Sequence, residues 1–454
     1  MRRDALGGKR GDGNKRDRRI RRPDPTRVRM GEPDASLTGA AGLAAFGAFL
    51  RRKGVPGELK EKFSALKDGA AVIYPMEAQI ALLLDANVVG EHRVFGLEAL
   101  AVDKLFAHLA GGVVPSLDTV YRDLARFDAG ALQALESMMA HHGLHRVDRL
   151  PAHRIHLDID TTVEPLHGKQ EGALPGPNPR YHGRPSYHPI LAYVAESNRC
   201  VGGLLRPGDR GLGVEDVPTV RAWVRRTRQA VDDGRVLVAR ADAGADCTEI
   251  LRAIDEEGAF FVVKARLTRD LRDAIAACRT WKTVDSDAEG RAVRQVAVVH
   301  FHRAEWLAQK RLFRVVVVRD CERDTGKQVH LWPDLDFTVQ AYLTNDWCSA
   351  PEELAKEYAG RAEVEAQIAE LKSGWGIGKV PSQTFNANHA MLLIKMLAHN
   401  LLRRFVEWIA PTLATWRVPW LRRVLIAVPG RLSHSGRQWT LHVQPGSPLN
   451  VRRE

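Results

Sequence analysis

Three carboxylates stand where a fold could gather them. Asp160 ends the alternating run Arg154-Ile155-His156-Leu157-Asp158-Ile159-Asp160, Asp242 follows the apolar run of 235–240, and Glu365 lies on a later amphipathic segment. Open α/β sheets collect ligands at strand ends, and oxygen donors suit hard divalent cations. Two such cations about 4 Å apart activate a water or a 3′-hydroxyl and stabilise the leaving oxygen of a phosphodiester. The chemistry indicated is phosphoryl transfer. Each acid alone reads as a turn residue or a cap, so the combination carries the inference.

Glu365 has neighbours of useful chemistry. Tyr358, Arg361, Glu365 and Lys372 recur at helical spacing, and at about 100° per residue one helix over 357–372 would hold them within roughly 100° of one another. Val364, Ile368 and Leu371 would form an apolar stripe beside them. The plain alternative is an amphipathic helix with a solvated charged face.

The elements that must position these groups follow from periodicity. Strict alternation over 154–160 predicts a strand with Ile155, Leu157 and Ile159 on one face and His156, Asp158 and Asp160 on the other. Strands at 189–195 and 200–205, joined by Glu196-Ser197-Asn198-Arg199, predict an antiparallel hairpin. A helix at 217–231, a strand at 235–240, a helix at 246–257 and a strand at 259–264 complete an α/β order, a mixed sheet covered by helices on both faces. Residues 268–345 are β-rich and charged, with strands at 293–301, 312–318 and 338–343, and form an insertion before the helix of Glu365. An apolar helix at 388–408 belongs to the core.

Towards the start, residues 1–34 are a basic, apolar-poor arm expected to be disordered in isolation. Residues 35–150 then read as an all-α domain, with helices near 38–52, 76–86, 96–109 and 129–141. Within it Ser116 caps a short helix whose Val120, Leu124 and Phe127 face a core, while Thr119, Arg122 and Arg126 face solvent. This is a candidate recognition helix, with Arg122 and Arg126 as DNA contacts.

Lys and Arg outnumber Asp and Glu by 67 to 55, a formal charge of +12 that favours a polyanionic partner, nucleic acid ahead of a membrane surface. Five cysteines without a C-x-x-C pair point to no zinc site and no disulfide framework, hence a reduced compartment. No apolar run has transmembrane length and Met1-Arg2-Arg3-Asp4 opens no signal core, so a cytoplasmic, nucleoid-associated protein is expected. Gly208 to Gly213 is glycine-rich but lacks a phosphate-binding lysine. Trp281, Trp306, Trp332 and Trp347 fall in or beside the insertion, where one could stack on a flipped base; core packing is the alternative for each.

The spacing Tyr358-x2-Arg361-x3-Glu365-x6-Lys372 resembles the Tyr-Arg-Glu-Lys signature of bacterial DDE-type insertion-sequence transposases. So do Leu157-Asp158-Ile159-Asp160-Thr161-Thr162, Arg240-Ala241-Asp242-Ala243-Gly244, Tyr342-Leu343-Thr344-Asn345 and Ala398-His399-Asn400-Leu401. The resemblance spans about 35–440 and is nearest to the group whose catalytic region is called DDE domain group 1. It implies a ribonuclease-H-like catalytic core in two parts, 151–267 and 346–440, separated by the insertion of 268–345, with a tail at 441–454. Asp160, Asp242 and Glu365 would bind two Mg²⁺ ions, for which Mn²⁺ could substitute. Asp158, two residues earlier on the same face, is the alternative first acid; Asp160 is preferred because it directly precedes Thr161, as the family's first acid does. Tyr358, Arg361 and Lys372 would contact DNA phosphates. The implied activity is cleavage of transposon ends and joining of 3′-hydroxyls to target DNA, by a homodimer in the DNA complex and without a membrane. A nuclease of the same fold and a non-catalytic DNA-binding descendant are the alternatives.

Overall fold

The computed structural model describes residues 28–29, 31–176, 182–232, 234–321 and 337–451. Most of the expected basic arm and Trp332 lie outside the described residues. The chain divides into two units, Met1–Ala35 and Ser36–Glu454, and the sheet, helices and cleft all belong to the second.

Alternation along residues 154–161 builds the strand around which that unit is organised. Nine strands, β1 (Arg154–Thr161), β2 (Ile190–Val194), β3 (Arg199–Leu204), β4 (Val236–Ala241), β5 (Phe260–Lys264), β6 (Lys282–Ser286), β7 (Ala292–Val299), β8 (Arg314–Cys321) and β9 (Phe337–Thr344), form one sheet in the order β6-β7-β8-β9-β5-β4-β1-β2-β3. β4 runs parallel to β1 and β5 parallel to β4, whereas all other neighbours are antiparallel. The inserted strands continue this sheet: β9 pairs with β5, placing Thr344 opposite Val262, and β8, β7 and β6 follow outward as a meander. Asn345 seals the join, its Oδ1 accepting from Phe261 N at 2.9 Å and its Nδ2 donating to Asp255 and to the Ala259 carbonyl. β6 was not expected from its sequence, because its five residues are all exposed and show no apolar period.

The helices used below are α1 (Gly42–Arg52), α2 (Val55–Phe63), α3 (Met76–Val89), α4 (Leu117–Leu124), α5 (Ala129–Leu144), α6 (Val217–Ala230), α7 (Thr248–Glu256), α8 (Pro351–Ala359), α9 (Ala362–Gly374) and α10 (Phe385–Ile409). The helix expected over 96–109 is split, since Asp103 accepts from Leu105 N and Phe106 N and so starts a new helix at Lys104. On one sheet face Ile155, Leu157, Ile159, Leu237, Phe261 and Val263 pack with Val220, Trp223 and Val224 of α6 and Ile250, Leu251 and Ile254 of α7. On the other face, Leu354 and Tyr358 of α8 cover Val238, Val262, Val316 and Tyr342. Towards β2 and β3 that face meets α5 and α10 instead, through Leu191, Tyr193 and Cys200.

α10 is buried nearly all round, as its composition requires. Its Phe405 ring meets Phe46 of α1 edge-on at 5.5 Å, so α1 and α10 share one apolar core. Asn400, fully buried, accepts from Cys200 N and donates to the carbonyls of Cys200 and Met139, each at 2.8 Å. Gly143 of α5 must stay a glycine there, because a Cβ would lie 2.0 Å from the Cys200 carbonyl oxygen. Among the described residues no helix is long and apolar enough to cross a membrane.

Candidate active site

The polar face of β1 points towards α8. Arg154, His156, Asp158 and Asp160 follow one another along it at every second residue, the repeat a strand imposes. Arg154 donates from Nε to Glu357 at 2.6 Å and from Nη2 to Asp346 at 3.2 Å. His156 bridges Glu196 through Nδ1 at 2.5 Å and Glu357 through Nε2 at 2.8 Å. Asp158 is fully buried, and both its oxygens accept from Arg240, at 2.7 Å each. So enclosed, Asp158 does not line the cleft that Asp160 meets, and this separates the two.

Asp160 comes last and opens onto a cleft of about 800 Å³. Its Oδ1 accepts from Thr161 N at 2.8 Å and lies 3.0 Å from Arg361 Nη2. Burial pushes its carboxyl up to about 6; Arg361 opposes the rise and the charge of Asp242 adds to it. Asp242 directly follows β4, caps the short turn after it through a bond from Gly244 N at 2.8 Å, and lines the same cleft. Glu365, exposed on the first turns of α9, lines it too. The cleft thus brings together all three acids singled out in the sequence, with Tyr358 and Arg361. Its far wall is made by the insertion: Asp285, Arg294, Asp320, Gln340 and Tyr342 come from β6 to β9.

The single helix expected over 357–372 is instead two. α8 ends at Ala359, Gly360 and Arg361 make the joint, and α9 begins at Ala362. Tyr358 therefore lies on a different helix from Glu365 and Lys372. Tyr358 is 9 % exposed and lies against Tyr342, ring centroids 4.5 Å apart. Arg361 is equally buried; its Nη2 is ion-paired with Asp160 at 3.0 Å, and its Nε has no hydrogen-bond partner. Lys372 lies a helix length away, with Nζ donating to the Val163 carbonyl at 3.1 Å and 3.4 Å from Glu164. In α4, Ser116 caps as expected, Val120, Leu124 and Phe127 are buried, and Arg122 and Arg126 are exposed. Trp306 is buried with its indole donating to Thr248, Trp281 is half-buried beneath Arg319, and Trp347 is 59 % exposed.

The donor set of Asp160, Asp242 and Glu365 is all oxygen and fits a hard divalent cation. Burial is the main cause of the rise at Asp160, the charge of Asp242 adds to it, and such a cation would offset both. Among the described residues, however, no three Asp, Glu, His or Cys side chains already surround one point. The arrangement is two neighbouring carboxylates, an arginine against the first, and a third carboxylate apart on α9.

Sequence reasoning assigned nothing to Arg240, Glu357 or His156. Alternation placed His156 on the polar face, but the cross-strand pairing of Asp158 with Arg240 depends on register between distant segments.

A solved structure titled "Cryo-EM structure of piggyBac transposase synaptic complex with hairpin DNA" is similar to this chain at 11 % identity, covering 84 % of this chain and 78 % of that one, with a TM-score of 0.45. No curated protein matches. The family model described as Transposase DDE domain group 1 matches residues 24–450, nearly the whole chain, and the protein therefore belongs to that family of DDE-type transposases.

Proposed function

We propose that this chain is the transposase of a bacterial insertion sequence, acting in the cytoplasm on nucleoid DNA. It binds the terminal inverted repeats, cleaves the ends by phosphodiester hydrolysis and joins the exposed 3′-hydroxyls to target DNA. The observation that carries the reading is that Asp160, Asp242 and Glu365, from three separated segments, line one cleft. A ribonuclease-H-like core is part of the proposal, supported by the order β3-β2-β1-β4-β5 with β2 antiparallel to its neighbours.

The three acids would hold Mg²⁺, or Mn²⁺ in its place, and the bound cations would supply an activated hydroxyl and charge neutralisation at the leaving oxygen. The chain's own residues do the rest. Glu365 would complete the set with Asp160 and Asp242, and Arg361, ion-paired with Asp160 at the cleft, would contact a DNA phosphate, which suits a guanidinium. Tyr358 and Lys372 flank the same strand, while Arg122, Arg126 and the basic arm hold the transposon end. Two copies bring two ends together.

The test incubates the protein, and its Glu365→Gln variant, with labelled DNA from the flanks of its gene, a target plasmid and Mg²⁺. Cleaved and joined products from the wild type alone are expected. Cleavage without joining would replace the proposal with a nuclease, and binding without either would replace it with a non-catalytic descendant.

A further inference from the structure

Arg240 stands two residues before Asp242 on β4 and directly across from Asp158 on β1. Its Nε and Nη2 bind the two oxygens of Asp158, and its Nη1 donates to the Glu357 carbonyl, all at 2.7 Å. That carbonyl lies in the last turn of α8, where helix carbonyls lack partners within the helix and a positive charge is favoured by the dipole. The carboxylate of Glu357 is held separately by Arg154 and His156. The chain then passes Gly360, where a Cβ would lie 3.0 Å from Arg240 Nη1. Beyond it come Arg361 and Glu365.

A buried ion pair that served only the sheet would need Asp158 and Arg240 alone. The third bond, to the carbonyl beside the joint, and the close passage of Gly360 tie this pair to the helix break.

We propose that Arg240 is a positioning residue of the acidic site: by joining Asp158 to the last turn of α8, it fixes the point from which Arg361 and Glu365 depart. Glu365 then closes on Asp160 and Asp242 from a set origin. The inference rests on the reading of those three acids as cation ligands.

Breaking one partner of a buried pair costs far more than replacing both. The decisive variant is therefore the double substitution Asp158→Asn with Arg240→Gln, which leaves no lone buried charge and removes the tie to Glu357. Gly360→Val perturbs the same joint with every charge in place. Mn²⁺ binding to the full chain is measured by calorimetry without DNA, together with binding of the flank DNA and the melting temperature. Both variants are expected to bind Mn²⁺ about tenfold more weakly, the scale seen when a group supporting a metal ligand is lost, while flank DNA, held also by Arg122, Arg126 and the basic arm, is still bound. Arg240→Lys, which keeps a charge near the carbonyl, should recover part of the loss. Wild-type Mn²⁺ affinity in the double variant overturns the proposal; if that variant melts early, wild-type affinity in Gly360→Val does so instead. Asp160→Asn is the control: if it too binds Mn²⁺ normally, the acidic-site reading has failed rather than the role of Arg240.

Discussion

The end of α8 and the start of α9 are separated by two residues and differ in almost every physical respect. At Glu357 the carbonyl is bound by Arg240, and both carboxylate oxygens accept from Arg154, with His156 joining one of them. At Arg361 a buried guanidinium meets Asp160 through Nη2 while its Nε has no hydrogen bond, and Glu365 lies exposed in the cleft. Native structures rarely leave buried polar groups unmatched. The first region is a post and the second is an arm, and the regular spacing from Tyr358 to Lys372 hides the border between them.

Substitutions on the two sides should separate these roles. Glu365→Gln should lower end cleavage by about a thousandfold, roughly 4 kcal/mol of transition-state stabilisation, while shifting urea unfolding by less than about 0.5 kcal/mol. A larger loss of stability would mean that the arm is part of the scaffold. Glu357→Leu should do the reverse to the scaffold, costing about 2 kcal/mol by leaving Arg154 and His156 short of an anion; a chain that unfolds like the wild type would remove the post. Arg361→Ala should tighten Mn²⁺ binding about tenfold in calorimetry, because a competing cation beside Asp160 is gone. Weaker binding would show that Arg361 supports the acids instead.

The smallest effect is in pH. Burial pushes Glu357 up, but bonds from His156 and Arg154 outweigh it and hold the carboxyl below its ordinary 4.5. Burial pulls His156 down, but bonds to Glu196 and Glu357 outweigh it and hold the imidazole above its ordinary 6.5. The Glu357 contribution is therefore complete above pH 4.5 and lost as pH falls through the lowered value. The His156 contribution is complete below pH 6.5 and lost as pH rises through the raised one. Melting temperatures from pH 3 to 9 should show Glu357→Gln flattening both limbs; limbs as steep as the wild type's would place the pH sensitivity elsewhere.

Much of the sheet was legible because period-two runs are unambiguous: β1, β2, β4 and β5 lie within a residue or two of where alternation and apolar runs put them. β6 was not legible, since an exposed strand at a sheet edge needs no apolar face. Nor was the break at Gly360: one glycine does not interrupt helical periodicity, and what marks the joint is a contact from Arg240, far away in sequence. For the candidate site, strand ends drew attention to Asp160 and Asp242. Alternation alone put Asp158 on the same face as Asp160; only the register of β1 against β4 shows that Asp158 is closed by Arg240. Asn345 and Asn400, both inside family motifs, prove to be hydrogen-bond clasps. A motif marks residues that matter, and geometry distinguishes a clasp from a reactive group.

The sharing of one sheet by β5 and β9 also sets a timetable for the growing chain. Val262 cannot find Thr344 until the whole meander has left the ribosome, which at about 5–20 residues per second leaves the edge of β5 bare for several seconds. An unpaired edge is a template for wrong partners. The meander is thus a late guest on an early strand, and α8, with the joint and the last acid behind it, is made only after the strand that covers β5.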